Sequence, residues 1–467
     1  MLSGWFVLVG GDAYSMQGGD DLAARELVHT SLTFVGNAYA ELRRAGVPRR
    51  QIITIVQLHD YLRSPHLSAL PSGQPHPIRQ IVEKECELLL REGGSDYDFE
   101  KVNPCTIWAV LLGLESARYP KVVPQDTNEA IVFGIYSHGD SHPTTEEGFF
   151  VEEQKENALK RKRKDLTDVV EIPEELNYFN NEWFAHLPFG GAVNSKEDQR
   201  IMSEMLEMVA HEACHSSRAV WRRRDRPTHF FYASQLRCVL AKLFNRPKSP
   251  KAVVGLLNFC RSGGAIDFLS RPAARKGLGV DTWPVMLMSS SQAHHDALVG
   301  GLWTPFFNIL SEALISWSSH ATKEKVLNSK DSKIQWNTIG EVYRRAKTRY
   351  LRENACILRD HVTVLAYPSN FGADDDNFPV EVAAIVAAEE GGEPDYKAAD
   401  ALQKRYRKKG IKIWHPQRWH GKEVSLSKAI RDSVERIAHP SCTLGKEGTS
   451  EATIHSLFFQ GESESHV

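Results

Sequence analysis

The feature that most constrains this chain is the order of four segments within its first sixty residues. An apolar run at residues 6–9 precedes two glycines, a polar glycine-rich loop follows at residues 12–21, and a helical pattern spans residues 22–45 before Gly46. A second apolar run occupies residues 51–56. Short runs that are apolar on both faces, joined by a helix, are typical of parallel strands in a β-α-β unit. The sequence therefore predicts a parallel sheet with helices packed on both of its faces.

The same alternation continues along the chain and predicts the rest of the sheet. Apolar runs at residues 130–136, 284–288 and 361–366 are typical of buried strands. The periodicity of the apolar segment at residues 205–210 fits a helix or a strand, and its place in the chain order makes it the predicted fourth strand. Further helices are predicted over residues 78–91, 106–117, 305–316 and 339–354.

These elements predict a three-layer α/β/α sandwich with a mainly parallel sheet and several insertions. One domain is expected over residues 1–372, with a helical insertion at about 60–128 and a charged insertion at about 145–200. Residues 373–467 form a C-terminal extension to which the sequence assigns no role. No internal repeat is evident.

Composition narrows the classes of function. Hydrophobic residues are 42% and charged residues 25% of the 467 residues, which excludes an intrinsically disordered chain. The net charge of -2 gives no reason to expect a nucleic-acid partner, and the basic run at residues 160–164 is expected to be a solvated loop. No run approaches the ~18 apolar residues of a membrane span, and the first residues lack the basic start of a signal peptide, so no membrane partner is expected.

The seven cysteines are an odd number spread along the whole chain, which argues against a disulfide framework and for a cytoplasmic protein. A cysteine in such a chain is usually a small buried apolar residue. We apply that interpretation to six of the seven, which are Cys86, Cys105, Cys238, Cys260, Cys356 and Cys442. Only Cys214, which follows the predicted fourth strand amid polar residues, is expected to be reactive.

Polar residues follow three of the predicted strands, and parallel α/β sheets place their sites beyond these carboxyl ends. His138 and Gly139 follow the third strand, Cys214 the fourth, and a serine run that begins at Ser289 and Ser290 the fifth. A cysteine beside a histidine is the arrangement of a thiolate nucleophile and its proton carrier. Gly139 lacks a side chain, so its N–H and that of Cys214 are predicted to form an oxyanion hole.

These residues resemble a known fold. The segment VFGIYSHG at residues 132–139 resembles the strand that ends in His-Gly in the caspase–hemoglobinase fold, the clan of cysteine peptidases that contains legumains, metacaspases and caspases. The segment EACHSS at residues 212–217 resembles the legumain block Glu-Ala-Cys-Glu-Ser-Gly and the metacaspase block Cys-His-Ser-Gly, although Ser217 stands in place of glycine. The resemblance covers about residues 1–370 and implies a caspase-like sheet, a cysteine endopeptidase acting on proteins or peptides, and no cofactor.

The resemblance also implies residues of the pocket that receives the P1 side chain of the substrate. Glu212, two residues before Cys214, occupies the position of an acidic residue that lines this pocket in legumains and metacaspases. Ser289 and Ser290 correspond to one wall, and Asp20, Asp21 and Asp296 are candidates for added acidity. Such a pocket favours Arg or Lys at P1, with Asn second. Self-cleavage is therefore expected in the basic segments at residues 160–164 or 222–224.

Two alternatives remain open. Residues 211–215 spell His-Glu-Ala-Cys-His, so on a helix His211 and His215 could bind zinc with Glu212 as general base. A third zinc ligand would then come from Glu312 or His294. The other alternative is an inactive caspase-like fold that only binds partners. The sequence gives no indication of the oligomeric state.

Overall fold

The computed structural model describes residues 2–11, 22–58, 62, 73–74, 77–97, 103–143, 181–186, 195–212, 230–270, 283–291, 297, 301–320, 338–353, 381, 384–385, 394–408, 425–428, 430–431, 442–445 and 449–459. Its described strands, β1 to β9, span Trp5–Gly10, Ile52–Ile55, Ile131–Tyr136, Gly139–Pro143, Asn181–His186, Phe230–Tyr232, Val253–Asn258, Pro284–Ser289 and Cys442–Gly445. Its described α-helices, α1 to α11, span Leu22–Arg44, Pro77–Glu85, Glu87–Arg91, Pro104–Leu112, Lys196–Glu212, Ala233–Phe244, Ser262–Ser270, Trp303–His320, Ile339–Glu353, Tyr396–Lys408 and Ile454–Phe458. Short 3₁₀ helices span Arg49–Gln51 and Thr449–Glu451.

The main sheet has six strands in the order β2-β1-β3-β7-β8-β9. The first five run parallel to one another, and β9 pairs antiparallel with β8. A separate antiparallel sheet has the order β4-β5-β6. Successive parallel strands are joined through helices, as a β-α-β pattern requires. The predicted α/β fold with a mainly parallel sheet is therefore confirmed.

Apolar side chains bury both faces of the main sheet. Because side chains alternate along a strand, Phe6 of β1 packs on one face with α1, α8 and α9, while Val7 packs on the other with α4, α5, α6 and α7. The first face holds Trp303, a fully buried side chain of α8 whose indole N–H donates to the Phe34 carbonyl of α1 at 2.8 Å. The two buried layers make the structure a three-layer sandwich. Among the described helices, none is both long and apolar enough to cross a membrane.

The predicted fourth strand is wrong. Residues 205–210 lie inside α5, which begins after Ser195, whose hydroxyl accepts a hydrogen bond from the Asp198 N–H at 2.9 Å. A serine with acidic residues in the next turn is a helix start signal, and Glu197 and Asp198 also favour the positive end of the helix. The strand that lies between β3 and β8 is β7, a run that the sequence reading passed over.

The C-terminal region contributes to the same sheet. The strand β9 extends the sheet beyond β8, and α11 belongs to the core of the first face. The Ser3 N–H donates to the Phe458 carbonyl at 2.6 Å, and the rings of Phe6 and Phe458 stack with centroids 5.8 Å apart. The domain boundary at residue 372 stays a prediction, but Phe458 and Phe459 lie against the start of the chain, and β9 lies at the far edge of the same sheet. The predicted strand at residues 361–366 lies outside the described residues.

Candidate active site

The carboxyl ends of β3 and β7 bring two polar segments together. These neighbouring strands pair in register from Ile131 with Val253 to Tyr136 with Asn258. Beyond the last pair, the Ser137 N–H donates to the Asn258 carbonyl at 3.2 Å. The segments that follow, His138-Gly139 after β3 and Phe259-Cys260 after β7, therefore leave the sheet from neighbouring strands. This is the edge at which parallel α/β sheets place their sites.

Gly139 is the tightest contact between the two segments. A Cβ at this position would lie 2.5 Å from the Cys260 carbonyl oxygen and 2.4 Å from the ring of Phe259. No side chain fits at these distances, because Cβ contacts below 3.0 Å require the neighbour to move. The predicted need for glycine after His138 thus has a structural cause, which is the close approach of the Cys260 backbone.

Cys260 lies in a sharp turn between β7 and α7. Arg261 has φ of 61°, and among the described residues it is the non-glycine residue with a left-handed backbone. Helix α7 begins at the next residue, Ser262. A left-handed conformation is disfavoured for a side chain as bulky as arginine, so the surrounding contacts must hold this turn. The result is a cysteine two residues before the start of a nine-residue helix.

The thiol of Cys260 differs from the other described cysteines. Cys86, Cys105 and Cys238 are buried, whereas Cys260 is partly exposed. Burial raises the pKa of the Cys86 thiol to about 12 and that of the Cys105 thiol further, so both are inert at neutral pH. The predicted structural role of these buried cysteines is confirmed. Cys260 differs from this prediction in being partly exposed, and its sulfur accepts a hydrogen bond from the Ala297 N–H at 3.3 Å.

His138 is held mainly in its neutral form. Desolvation by burial lowers the pKa of its imidazole below the ordinary value of 6.5. A neutral imidazole at neutral pH can accept a proton from a thiol, and the imidazolium can return it to a leaving group. The chemical requirement for the predicted histidine is therefore met by its environment.

A serine turn follows β8, the strand next to β7, and lies beside the carboxyl end of β7. Ser289, Ser290 and Ser291 are all buried, and the Ser290 N–H donates to the Leu257 carbonyl at 3.1 Å. The Ser290 Oγ and the Asn258 Oδ1 atoms are buried and have no hydrogen-bond partner among the described residues. The backbone of Gly301, with φ of 43°, lies so close that a Cβ there would be 2.4 Å from the Asn258 Oδ1. Two unsatisfied polar atoms thus lie at the ends of neighbouring strands.

Several predicted site residues lie outside the description. Cys214, His215, Asp20, Asp21, Asp296 and His294 fall in undescribed segments. His211 and Glu212 form the end of α5, and their side chains are not described. Glu312 is described in α8, where it pairs with Arg349 at 3.6 Å. Among the described residues, no group of three or more His, Cys, Asp or Glu side chains could hold a metal ion.

Cys260 is the candidate that sequence reasoning missed, although the chain carries a signal for it. Residues 253–257 (VVGLL) form a run without polar side chains that includes two valines, which is typical of a buried parallel strand. The residues that follow, Phe-Cys-Arg-Ser-Gly-Gly, combine a cysteine with a glycine-rich helix start. Had this run been taken as the fourth strand, Cys260 would have occupied the position given to Cys214.

No protein-family model matches this chain, and no curated protein matches it. The chemistry of the site is therefore read from its own geometry.

Proposed function

We propose that this chain is a cysteine endopeptidase whose nucleophile is Cys260 and whose general base is His138. The observation that carries the proposal is the contact of Gly139 with the Cys260 carbonyl, which sets the His138 segment beside the cysteine. A partly exposed thiol and a neutral histidine are the two groups that nucleophilic catalysis by cysteine needs. The proposal replaces Cys214, whose assignment depended on a strand that is a helix.

The reaction follows from these groups. The Cys260 thiol gives its proton to His138, and the sulfur attacks the scissile carbonyl to form a tetrahedral oxyanion. The N–H groups of Gly139 and Cys260 would stabilise this charge. Collapse of the intermediate breaks the C–N bond, and His138 returns the proton to the departing amine. Water, activated by His138, then hydrolyses the thioester and restores the thiol. A reducing compartment such as the cytosol keeps Cys260 in the thiol form that this cycle requires.

The resemblance to the caspase–hemoglobinase fold supports Cys260 better than Cys214. The legumain and metacaspase blocks named above both continue from cysteine through one residue to Ser-Gly. Residues 260–263 read Cys-Arg-Ser-Gly and keep that ending, whereas residues 214–217 read Cys-His-Ser-Ser. The order of a strand, His-Gly, a strand and then cysteine is also met by β3, His138, β7 and Cys260.

A nucleophile at residue 260 changes the proposed substrate. The position two residues before the cysteine is then Asn258, a neutral amide, in place of the acidic Glu212. The buried Asn258 Oδ1 and Ser290 Oγ carry no charge, so this end of the sheet lacks the carboxylate that would favour Arg or Lys at P1, and we propose Asn or Gln. A neutral pocket also removes the reason to expect self-cleavage in the basic segments at residues 160–164 and 222–224.

The test compares two cysteine variants in the full chain. Cys260→Ala should abolish cleavage of a peptide library varied at P1, a loss of several orders of magnitude, while Cys214→Ala should retain it. Mass spectrometry after iodoacetamide treatment should find Cys260 carbamidomethylated before Cys86, Cys105 or Cys238. Activity that survives Cys260→Ala but is lost in Cys214→Ala would overturn the assignment. Activity lost only to a chelator would favour the zinc alternative, and no turnover with no labelling would favour a binding protein.

A further inference from the structure

We infer that Ser291 is a positioning residue that holds the backbone on both sides of Cys260 in the geometry that catalysis needs. The inference rests on the proposed function, because it assigns a role within the same site. Ser291 follows β8 and is fully buried. It lies 29 residues from Ser262 in sequence, so its contacts with the cysteine turn are tertiary contacts between two strand ends.

The Ser291 hydroxyl bridges the turn. It donates to the Phe259 carbonyl at 3.1 Å, immediately before Cys260, and accepts from the Ser262 N–H at 3.2 Å, shortly after it. The Ser262 hydroxyl lies 3.3 Å from the same oxygen. Donation to Phe259 leaves two lone pairs on the oxygen, and these match the two donors of Ser262. One side chain therefore satisfies groups on either side of the nucleophile.

The Ser291 backbone adds a further link. Its carbonyl accepts from the Gly263 N–H at 2.9 Å and from the Ser289 hydroxyl at 3.1 Å. The serine turn is therefore bonded to the first two residues of α7 as well as to Phe259. Together these bonds span the left-handed Arg261, a conformation that persists only where surrounding contacts determine it.

The geometry explains why the position of Ser291 bears on catalysis. The turn fixes where the Cys260 N–H and sulfur lie relative to Gly139, and displacements of about 1 Å are known to cost ~100-fold in rate. The segment that follows Ser291 also supplies the Ala297 N–H, which donates to the Cys260 sulfur at 3.3 Å. The chain after β8 thus makes two kinds of contact. Ser291 bonds to the backbone on either side of Cys260, and Ala297 bonds to the Cys260 sulfur.

The test uses Ser291→Ala in the full chain, with Ser311→Ala as the matched control. Ser311 is also fully buried and donates its hydroxyl to a backbone carbonyl, that of Glu41 at 2.9 Å, on the interface of α1 and α8. The rate constant for alkylation of Cys260 by iodoacetamide and kcat for the preferred library peptide should each fall about tenfold or more in Ser291→Ala. KM should stay unchanged, since no substrate contact is removed. Ser291→Thr keeps the hydroxyl and should restore part of the rate.

The outcomes separate this inference from the proposed function. Unchanged alkylation and kcat in a folded Ser291→Ala protein would overturn the role of Ser291 while leaving Cys260 as nucleophile. An equal loss in Ser311→Ala, with an equal drop in Tm, would reduce the effect to general stability and overturn it as well. Fast wild-type alkylation without any peptide turnover would contradict the peptidase, yet the alkylation rates would still test Ser291. Wild-type alkylation no faster than that of the unfolded chain would overturn both.

Discussion

Two cysteines of this chain follow an apolar run and precede a serine within two residues, yet the runs fold into different elements. The run before Cys214 lies in α5, and the run before Cys260 is β7. The second delivers its cysteine to the end of β3, where His138 lies, because β7 is the strand that pairs with β3. The difference shows that a short sequence pattern around a cysteine does not locate a site on its own. The secondary structure that precedes the cysteine decides where it lies.

The physical cause lies in what flanks each apolar residue. In α5 the apolar Ile201, Met202 and Met205 are buried, while Ser203 and Glu207 are exposed, which is the spacing of one helix face. In β7 every residue from 253 to 258 is buried, and Val253 and Val254 are β-branched. A run buried on all sides fits the middle of a parallel sheet, whereas an interrupted run fits a helix on its surface.

The largest effect that would sharpen this comparison is expected at Gly139. In Gly139→Ala the new methyl group would lie 2.5 Å from the Cys260 carbonyl and would push the two segments apart. Displacing one donor of an oxyanion hole costs roughly 100- to 1,000-fold in kcat, so turnover should fall by that factor. Iodoacetamide alkylation of Cys214, to which the proposal gives no role in catalysis, should not change. Full turnover by a folded Gly139→Ala protein would break the comparison in favour of Cys214.

A smaller effect, on specificity, is expected from the residues two positions before each cysteine. Asn258→Asp places a carboxylate at the proposed P1 subsite, so the preferred P1 residue should move from Asn or Gln to Arg or Lys. The ratio of kcat/KM for a basic P1 residue to that for Asn or Gln should rise about 10- to 100-fold. The new carboxylate is paired when P1 is Arg or Lys and unpaired when P1 is Asn or Gln. Glu212→Gln, the matched change before Cys214, should leave the ratio as it is. The reverse pattern in a P1-varied library would reassign the pocket to Glu212.

The smallest effect concerns pH. Burial lowers the pKa of His138 below 6.5, so the neutral base persists as the pH falls to that value, and the acid limb of kcat/KM should have its midpoint below pH 6.5. A midpoint for kcat/KM above 6.5 would contradict the buried, neutral histidine.

Much of the fold could be predicted from the sequence because its central strands are buried on both faces. The strands around Phe6, Ile53, Phe133 and Leu287 are continuous apolar runs bounded by loops, and such runs specify a parallel sheet with little ambiguity. The edge strand β9 was not predicted, because Cys-Thr-Leu-Gly has one clearly apolar residue and forms a strand only through its pairing with β8. Tertiary pairing of this kind leaves no local signal.

The candidate site was predictable only in part. His138 and Gly139 could be found because they directly follow an unmistakable strand. Cys260 could not be chosen until the strand next to β3 was known, since two segments competed for that place. The contacts of Ser291 join residues 29 positions apart. The pattern of apolar and polar residues along the chain does not predict hydrogen bonds between residues so far apart. They follow from the pairing of β7 with β8 in the folded sheet.

The meeting of the first and last described residues has a consequence for how the protein is made. The strand β1 lies between β2 and β3, and its leading residues bond to Phe458 and Phe459, more than 450 positions away. During synthesis the cysteine turn leaves the ribosome long before β9 and α11 exist to complete the sheet. Contacts of such long sequence separation form late. We therefore expect nascent chains that end before residue 442 to carry the proposed nucleophile before the sheet that positions it is complete.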